Sequence, residues 1–134
     1  MKILVVDDEI DVKSLFEQHF RKEIRSMEME FMFAFSGVQA LDYLQEHNRE
    51  AVLILSDINM PGMTGLQLLG KIKEIYKSPS PHVKMMTAYG DHENYDHAMN
   101  AGADDFVTKP VDFKSLKEKL KSLSKNNLPA KVKI

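Results

Sequence analysis

Ile3-Leu4-Val5-Val6, Ala51-Val52-Leu53-Ile54-Leu55, Val83-Lys84-Met85-Met86 and Phe106-Val107 are short apolar runs, separated by longer segments with helical spacing. Strands apolar on both faces that alternate with helical segments belong in a parallel sheet covered on both sides. A further strand is predicted from alternation, with Met27, Met29, Phe31, Phe33 and Phe35 on one parity and Glu28 and Glu30 on the other. Those glutamates suit an edge strand, where charge discourages pairing with another chain. Between the strands, Val12, Leu15, Phe16 and Phe20, then Val38, Leu41 and Leu44, then Leu66, Leu69, Ile72 and Ile75 recur at helical spacing and are read as core faces. Gly37, Gly65, Gly90 and Gly102 fall near junctions, and Pro61-Gly62, Ser78-Pro79-Ser80-Pro81 and Lys109-Pro110 mark turns. The last helix is expected to pack Phe113, Leu116, Leu120 and Leu123 inward and to show Lys114, Lys117, Lys119 and Lys121 to solvent.

Five strands in strict alternation with five helices predict an α/β fold, a doubly wound, flavodoxin-like parallel sheet in the order 2-1-3-4-5 with helices on both faces. One domain is expected over residues 1–124, with 125–134 as a tail or the start of a linker, because the stretch from Asn126 onward keeps no period. No internal repeat or low-complexity segment is evident.

Composition narrows the class. Hydrophobic residues at 43% and charged residues at 28% are ordinary for a globular protein, which sets disorder aside. No run approaches the roughly 18 apolar residues of a membrane span, and the apolar start is too short for a signal-peptide core, so a cytoplasmic location away from membranes is expected. The absence of Cys excludes disulfides, thiolate catalysis and Cys-ligated zinc. Residues 1–108 carry 10 Lys/Arg against 18 Asp/Glu, and residues 109–134 carry 8 against 2. The basic last helix fits nucleic acid or an acidic protein surface, and equally a plain solvated lysine face.

The chemistry gathers at strand ends. Asp7, Asp8 and Asp57 each close an apolar run, and two later runs close on Thr87 and Lys109. Carboxylates at a buried strand end are costly unless a cation joins them. In the order 2-1-3-4-5, strands 1 and 3 are neighbours whose following helices cover opposite faces, so a crevice opens between their carboxyl ends. Three carboxylates there can hold a divalent cation and a lysine can face an anion, which outlines a site for phosphoryl groups. The plainer alternatives are Asp8 as a helix cap, Lys109 as a loop cation and Thr87 as a turn hydroxyl.

Leu4-Val5-Val6-Asp7-Asp8-Glu9, Ser56-Asp57-Ile58-Asn59-Met60-Pro61-Gly62-Met63-Thr64-Gly65, Met86-Thr87-Ala88-Tyr89 and Asp105-Phe106-Val107-Thr108-Lys109-Pro110 together resemble the receiver domain of two-component response regulators, over roughly residues 1–124. The resemblance implies a signalling switch, not an enzyme with a separate substrate, in which Asp57 takes a phosphoryl group from a sensor histidine kinase or a phosphotransfer protein. It implies Mg²⁺ held by Asp8, Asp57 and the Asn59 backbone carbonyl, with Asp7 acting partly through water. Lys109 would pair with Asp57 and then with a phosphoryl oxygen, and Thr87 would donate its hydroxyl to another; a cis Lys109-Pro110 bond would aim the lysine. Phe106 would report the change by rotating inward, expressed on the fourth helix, fifth strand and fifth helix, where a downstream partner or output domain docks. An acidic protein surface facing Lys117 and Lys121 is the expected partner there, and direct nucleic-acid binding is not. Asn59 and Tyr89 would flank the path of attacking water.

Rival readings remain at this point. Phosphatases of the haloacid-dehalogenase type also use a strand-end Asp, but need a second acid two residues later, where this chain has Asn59. A nucleotide-binding domain of similar topology would need a Gly-rich loop after strand 1, where Asp7-Asp8-Glu9 stand instead. A degenerate receiver that signals by binding alone would not need all five key side chains. His19, His47, His82, His92 and His97 lack the spacing of a metal constellation, and the nine Met residues are read as packing.

Overall fold

A computed structural model describes residues 1–47, 53–77, 80–88 and 92–125. Among them the chain runs β1 (Lys2–Val6), α1 (Asp11–His19), α2 (Arg21–Arg25), β2 (Glu30–Ala34), α3 (Gly37–Glu46), β3 (Leu53–Asp57), α4 (Gly65–Ile75), β4 (His82–Ala88), α5 (His92–Asn100), β5 (Asp105–Lys109) and α6 (Phe113–Lys125). The strands form one sheet in the order β2-β1-β3-β4-β5, every pair parallel, as the sequence predicts.

Each strand divides its apolar residues between two layers. Ile3, Val5, Leu53, Leu55, Met86 and Val107 meet Phe16, Phe20, Leu116 and Leu120, so α1, α2 and α6 share that side. Leu4, Val6, Ile54, Val83 and Met85 meet Ala40, Leu44, Leu68, Leu69, Ile72 and Ala98 on the side of α3, α4 and α5. Burial on both faces explains why these strands read as continuous apolar runs. One charge interrupts them: Lys84 is buried inside β4 and is neutralised by Asp105, its register partner on β5.

Several expectations need correction. The first helix is two helices, because Phe20 leaves helical geometry (φ −109°, ψ 21°) while its ring stays fully buried against Phe16 and Phe31. The expected fourth and fifth helices are therefore α5 and α6. Met27 lies outside β2: it closes α2 with a φ of 64° and is 85% exposed, so its parity with Phe31 is incidental. Leu15, Val38 and Ile75 are exposed, since the inward stripes run through Phe16, Ala40 and Leu44, and Leu68, Leu69 and Ile72. Ile75 ends its helix beyond that stripe.

The lysine face of α6 is also not wholly in solvent. Lys117 and Lys121, one turn apart, reach the buried Glu23 carboxylate of α2 at 3.3 and 3.2 Å. Lys114 and Lys119 remain exposed, as expected. Lys125, expected to begin the tail, ends α6, while the tail from Asn126 onward, Ser78 and Pro79 of the expected turn, Ala51 and Val52 of the expected third strand, and Tyr89 and Gly90 lie outside the described residues.

Gly70 stands at the exposed middle of α4, where an added Cβ meets nothing within 4 Å. Because glycine in a helix interior costs about 1 kcal/mol relative to alanine, Gly70→Ala is expected to stabilise the fold by about that amount in a urea titration. An unchanged or lowered midpoint would mean that the open space is needed for something other than stability.

Candidate functional site

The sheet register brings the expected residues to one edge. Val6 pairs with Ser56, so Asp7 leaves β1 beside Asp57 at the end of β3, and Ala88 pairs with Lys109 at the ends of β4 and β5. Oxygen atoms of Asp7, Asp8 and Asp57 all lie within 4.8 Å of one another. Among the described residues this is the sole such acidic or histidine group, and no histidine joins it.

Lys109 spans the cluster. Its Nζ donates to Asp7 Oδ2 at 3.1 Å and stands 3.3 Å from Asp57 Oδ1 and 3.8 Å from Glu9 Oε1. The lysine side chain is 27% exposed against 1% for Asp7 and 9% for Asp57, so one ammonium reaches down onto two buried carboxylates. Asp8 is the more open member. Lys109-Pro110 is cis, as the resemblance implied. Thr87 is buried at the end of β4, and Asn59 is exposed on the rim beyond Asp57.

Three supports escaped the reading of the sequence. The Glu9 amide donates to Asp7 Oδ1 at 3.0 Å, which fixes that carboxylate. Ser56 Oγ donates to the Asp57 carbonyl at 3.0 Å. Gly65, at the start of α4, brings its amide to within 2.8 Å of the Ile58 carbonyl, and a Cβ there would lie 2.0 Å from the Asp57 carbonyl oxygen. Any side chain at 65 must therefore displace either the helix or the strand end that carries Asp57. Thr64 and Gln67 lock the same helix start with a reciprocal capping box.

The charges are unbalanced. Burial pushes the Asp57 carboxyl above its ordinary value of 3.8, the Lys109 charge opposes this, and the Asp7 charge adds to it. Burial alone would lower Lys109, but its hydrogen bond to Asp7 and the charges of Asp57 and Asp7 outweigh it and hold the ammonium above 10.5. Because folded Asp57 binds its proton more tightly than the unfolded chain does, its stabilising contribution is full below 3.8 and is lost as pH rises through the folded value. Near neutral pH the ionised carboxylate is thus a net cost to the fold. In metal-free buffer, Asp57→Asn is expected to raise the thermal midpoint near neutral pH, with the difference shrinking as the buffer is acidified; a lowered midpoint would contradict this.

The donor set fits a hard divalent cation. Three carboxylates supply the oxygen ligands that Mg²⁺ requires, and an ion about 2.1 Å from each needs donors at most about 4.2 Å apart, close to the spacing already present. Phe106 is half-buried over the α5 side of the sheet, and its ring lies 4.3 Å from that of Tyr95 on α5.

A doubly wound sheet with acids and a lysine at its switch point defines the class of flavodoxin-like domains that bind ligands at strand carboxyl ends. Within that class the chain belongs to the response regulator receiver domain family, whose model matches residues 3–121, and so to two-component signalling. It is 34% identical to the response regulator RppA of Synechocystis over 127 residues, covering 95% of this chain and 52% of that protein. The chain thus spans about half the length of the curated relatives it matches. Its fold is similar to that of the NtrX receiver domain of Brucella abortus (TM-score 0.76, 30% identity, 93% and 99% of the two chains). It is equally similar to Vibrio cholerae chemotaxis protein CheY4 (TM-score 0.76, 25% identity, 90% and 96%). No described helix is long and apolar enough to cross a membrane.

Proposed function

We propose that this domain is a phosphorylation switch in which Asp57 is the phosphoacceptor. The observation that carries the reading is the reach of Lys109 onto both Asp7 and Asp57 at the mouth of the acidic cluster. Phosphoryl transfer asks little covalent chemistry of a protein beyond alignment and charge neutralisation. The donor is a phosphohistidine of a sensor kinase or phosphotransfer protein. An Asp57 oxygen forms a bond to phosphorus while the phosphorus–nitrogen bond breaks, and the electron pair stays on the imidazole nitrogen.

Asp7, Asp8, Asp57 and the Asn59 carbonyl would hold Mg²⁺, which when bound supplies charge neutralisation on the phosphoryl oxygens. Lys109 leaves Asp57 for a phosphoryl oxygen and acts as a point charge. Thr87 donates its hydroxyl to another phosphoryl oxygen and, in moving, frees space for Phe106. The phosphoryl group biases a pre-existing equilibrium by the difference of its contacts in the two states, read out on α5, β5 and α6 by a partner or output domain. Asn59, exposed on the rim beyond Asp57, borders the route of the hydrolytic water. The switch spans residues 1–124, followed by a tail or linker, and acts without a separate substrate in the cytoplasm.

Beryllofluoride, which stands for the phosphoryl group on an aspartate, tests the assignment. With Mg²⁺ it is expected to bind saturably and to perturb Thr87, Phe106 and Lys109 resonances, with all of these changes lost in Asp57→Ala. Unaltered binding by that variant would contradict the proposal, and turnover of a phosphatase substrate would favour the enzyme reading.

A further inference from the structure

Arg21, Lys22 and Arg25 stand together on α2, the helix that the bend at Phe20 adds to the fold. With Gln18, His19 and Ser26 they line a depression of about 490 Å³. All three cations are exposed, and none takes part in an ion pair among the described residues. From Gln18 to Ser26 the chain has a single acid, Glu23, and its carboxylate points inward to Lys117 and Lys121. The one acid within α2 is therefore engaged by α6, and the exposed Glu17 and Glu28 that flank the corner make no ion pair with its cations among the described residues. The wall is fixed from α6, because the His19 ring stacks on Phe113 at 4.1 Å and Lys117 lies 5.3 Å from the centre of the Phe20 ring.

We propose that this corner is a docking surface for an acidic, extended segment of a partner protein. Arginine forks take carboxylates in paired hydrogen bonds, and α2 presents two of them one turn apart with a lysine between. Other polyanions fit less well. A helix of five residues rises only about 7 Å, which reaches few phosphates, whereas strong nucleic-acid binding draws on about 6–10 contacts. The first 108 residues hold 18 Asp/Glu against 10 Lys/Arg, so a long polyanion or an anionic membrane lying across the domain meets repulsion. A short acidic peptide meets the corner alone. The surface uses no residue of the Asp57 cluster, and its occupancy does not depend on the phosphoacceptor role.

The test is fluorescence anisotropy of a labelled Asp/Glu-rich peptide titrated with the full chain at low salt, with amide shifts mapped by NMR. Saturable binding that weakens with salt and shifts His19 to Ser26 is expected. Arg21→Glu combined with Arg25→Glu is expected to weaken it by about tenfold or more with the thermal midpoint unchanged, since both side chains are exposed. Lys71→Glu, on the exposed face of α4, is expected to leave it unchanged. No saturable binding, equal affinity in the double variant, or tighter capture of duplex DNA or anionic vesicles lost in that variant would each overturn the proposal.

Discussion

Replacing Lys117 and Lys121 together by alanine is expected to destabilise the domain by roughly 1–3 kcal/mol, more than the 0–1 kcal/mol of an ordinary surface ion pair. The reason is the partner they share. Glu23 is 98% removed from solvent at the residue level, 2% remaining exposed, and its two cations come from one face of α6. Without them a carboxylate is left buried and unpaired, whereas the lysines themselves can swing into water. Burial alone would raise the Glu23 carboxyl, but its own backbone amide and the two lysines outweigh this and hold it below 4.5. The stability it contributes is therefore present above that value and is lost as pH falls through the folded one. A urea titration near neutral pH measures the loss, and Glu23→Leu in the same background should restore most of it, because well-packed apolar groups replace buried ion pairs without penalty. A loss below about 1 kcal/mol would place the three residues among ordinary surface pairs.

The second large effect is chemical. Lys109→Ala is expected to slow phosphoryl incorporation by about 10²–10³, the loss seen when one preorganised charge stabiliser is removed from a transition state. The structure gives the cause: Lys109 is the one cation within 4.0 Å of Asp7 and Asp57 among the described residues. Single-turnover labelling with acetyl phosphate reads the rate, and Lys109→Arg should recover little of it because a planar fork does not replace a point charge in a fixed socket. A variant rate within threefold of wild type would remove Lys109 from the mechanism.

The sheet was legible because each central strand is buried on both faces and carries a run apolar on both parities. Strand order followed from the strict alternation of strands and helices, and the register places the acid-bearing ends of β1 and β3 side by side, where that order opens a crevice. What escaped was tertiary in origin. The break at Phe20 has no glycine or proline to announce it; the ring is simply held in the core while the backbone turns. Nor does the spacing of Lys117 and Lys121 reveal that a carboxylate some hundred residues earlier lies beneath them. Leu15, Val38 and Ile75 misled because a stripe of helical spacing is wider than the face that touches the sheet.

At the candidate site the residue types and their order could be read from strand ends, while the supports could not. Thr64-Gly65-Leu66-Gln67 carries a capping-box pattern that was open to reading and marks where α4 begins. The contact of Gly65 with the Asp57 carbonyl needed coordinates. So did Glu9, which lies near Lys109 and also lends its amide to Asp7.

The most direct test of the account is to incubate the full chain with acetyl phosphate and Mg²⁺ and locate the label by intact mass and peptide mapping. One phosphoryl group on Asp57, labile to hydroxylamine, absent in Asp57→Asn and abolished by chelation, is the predicted result. Label on another residue, or label that persists in Asp57→Asn, would contradict it.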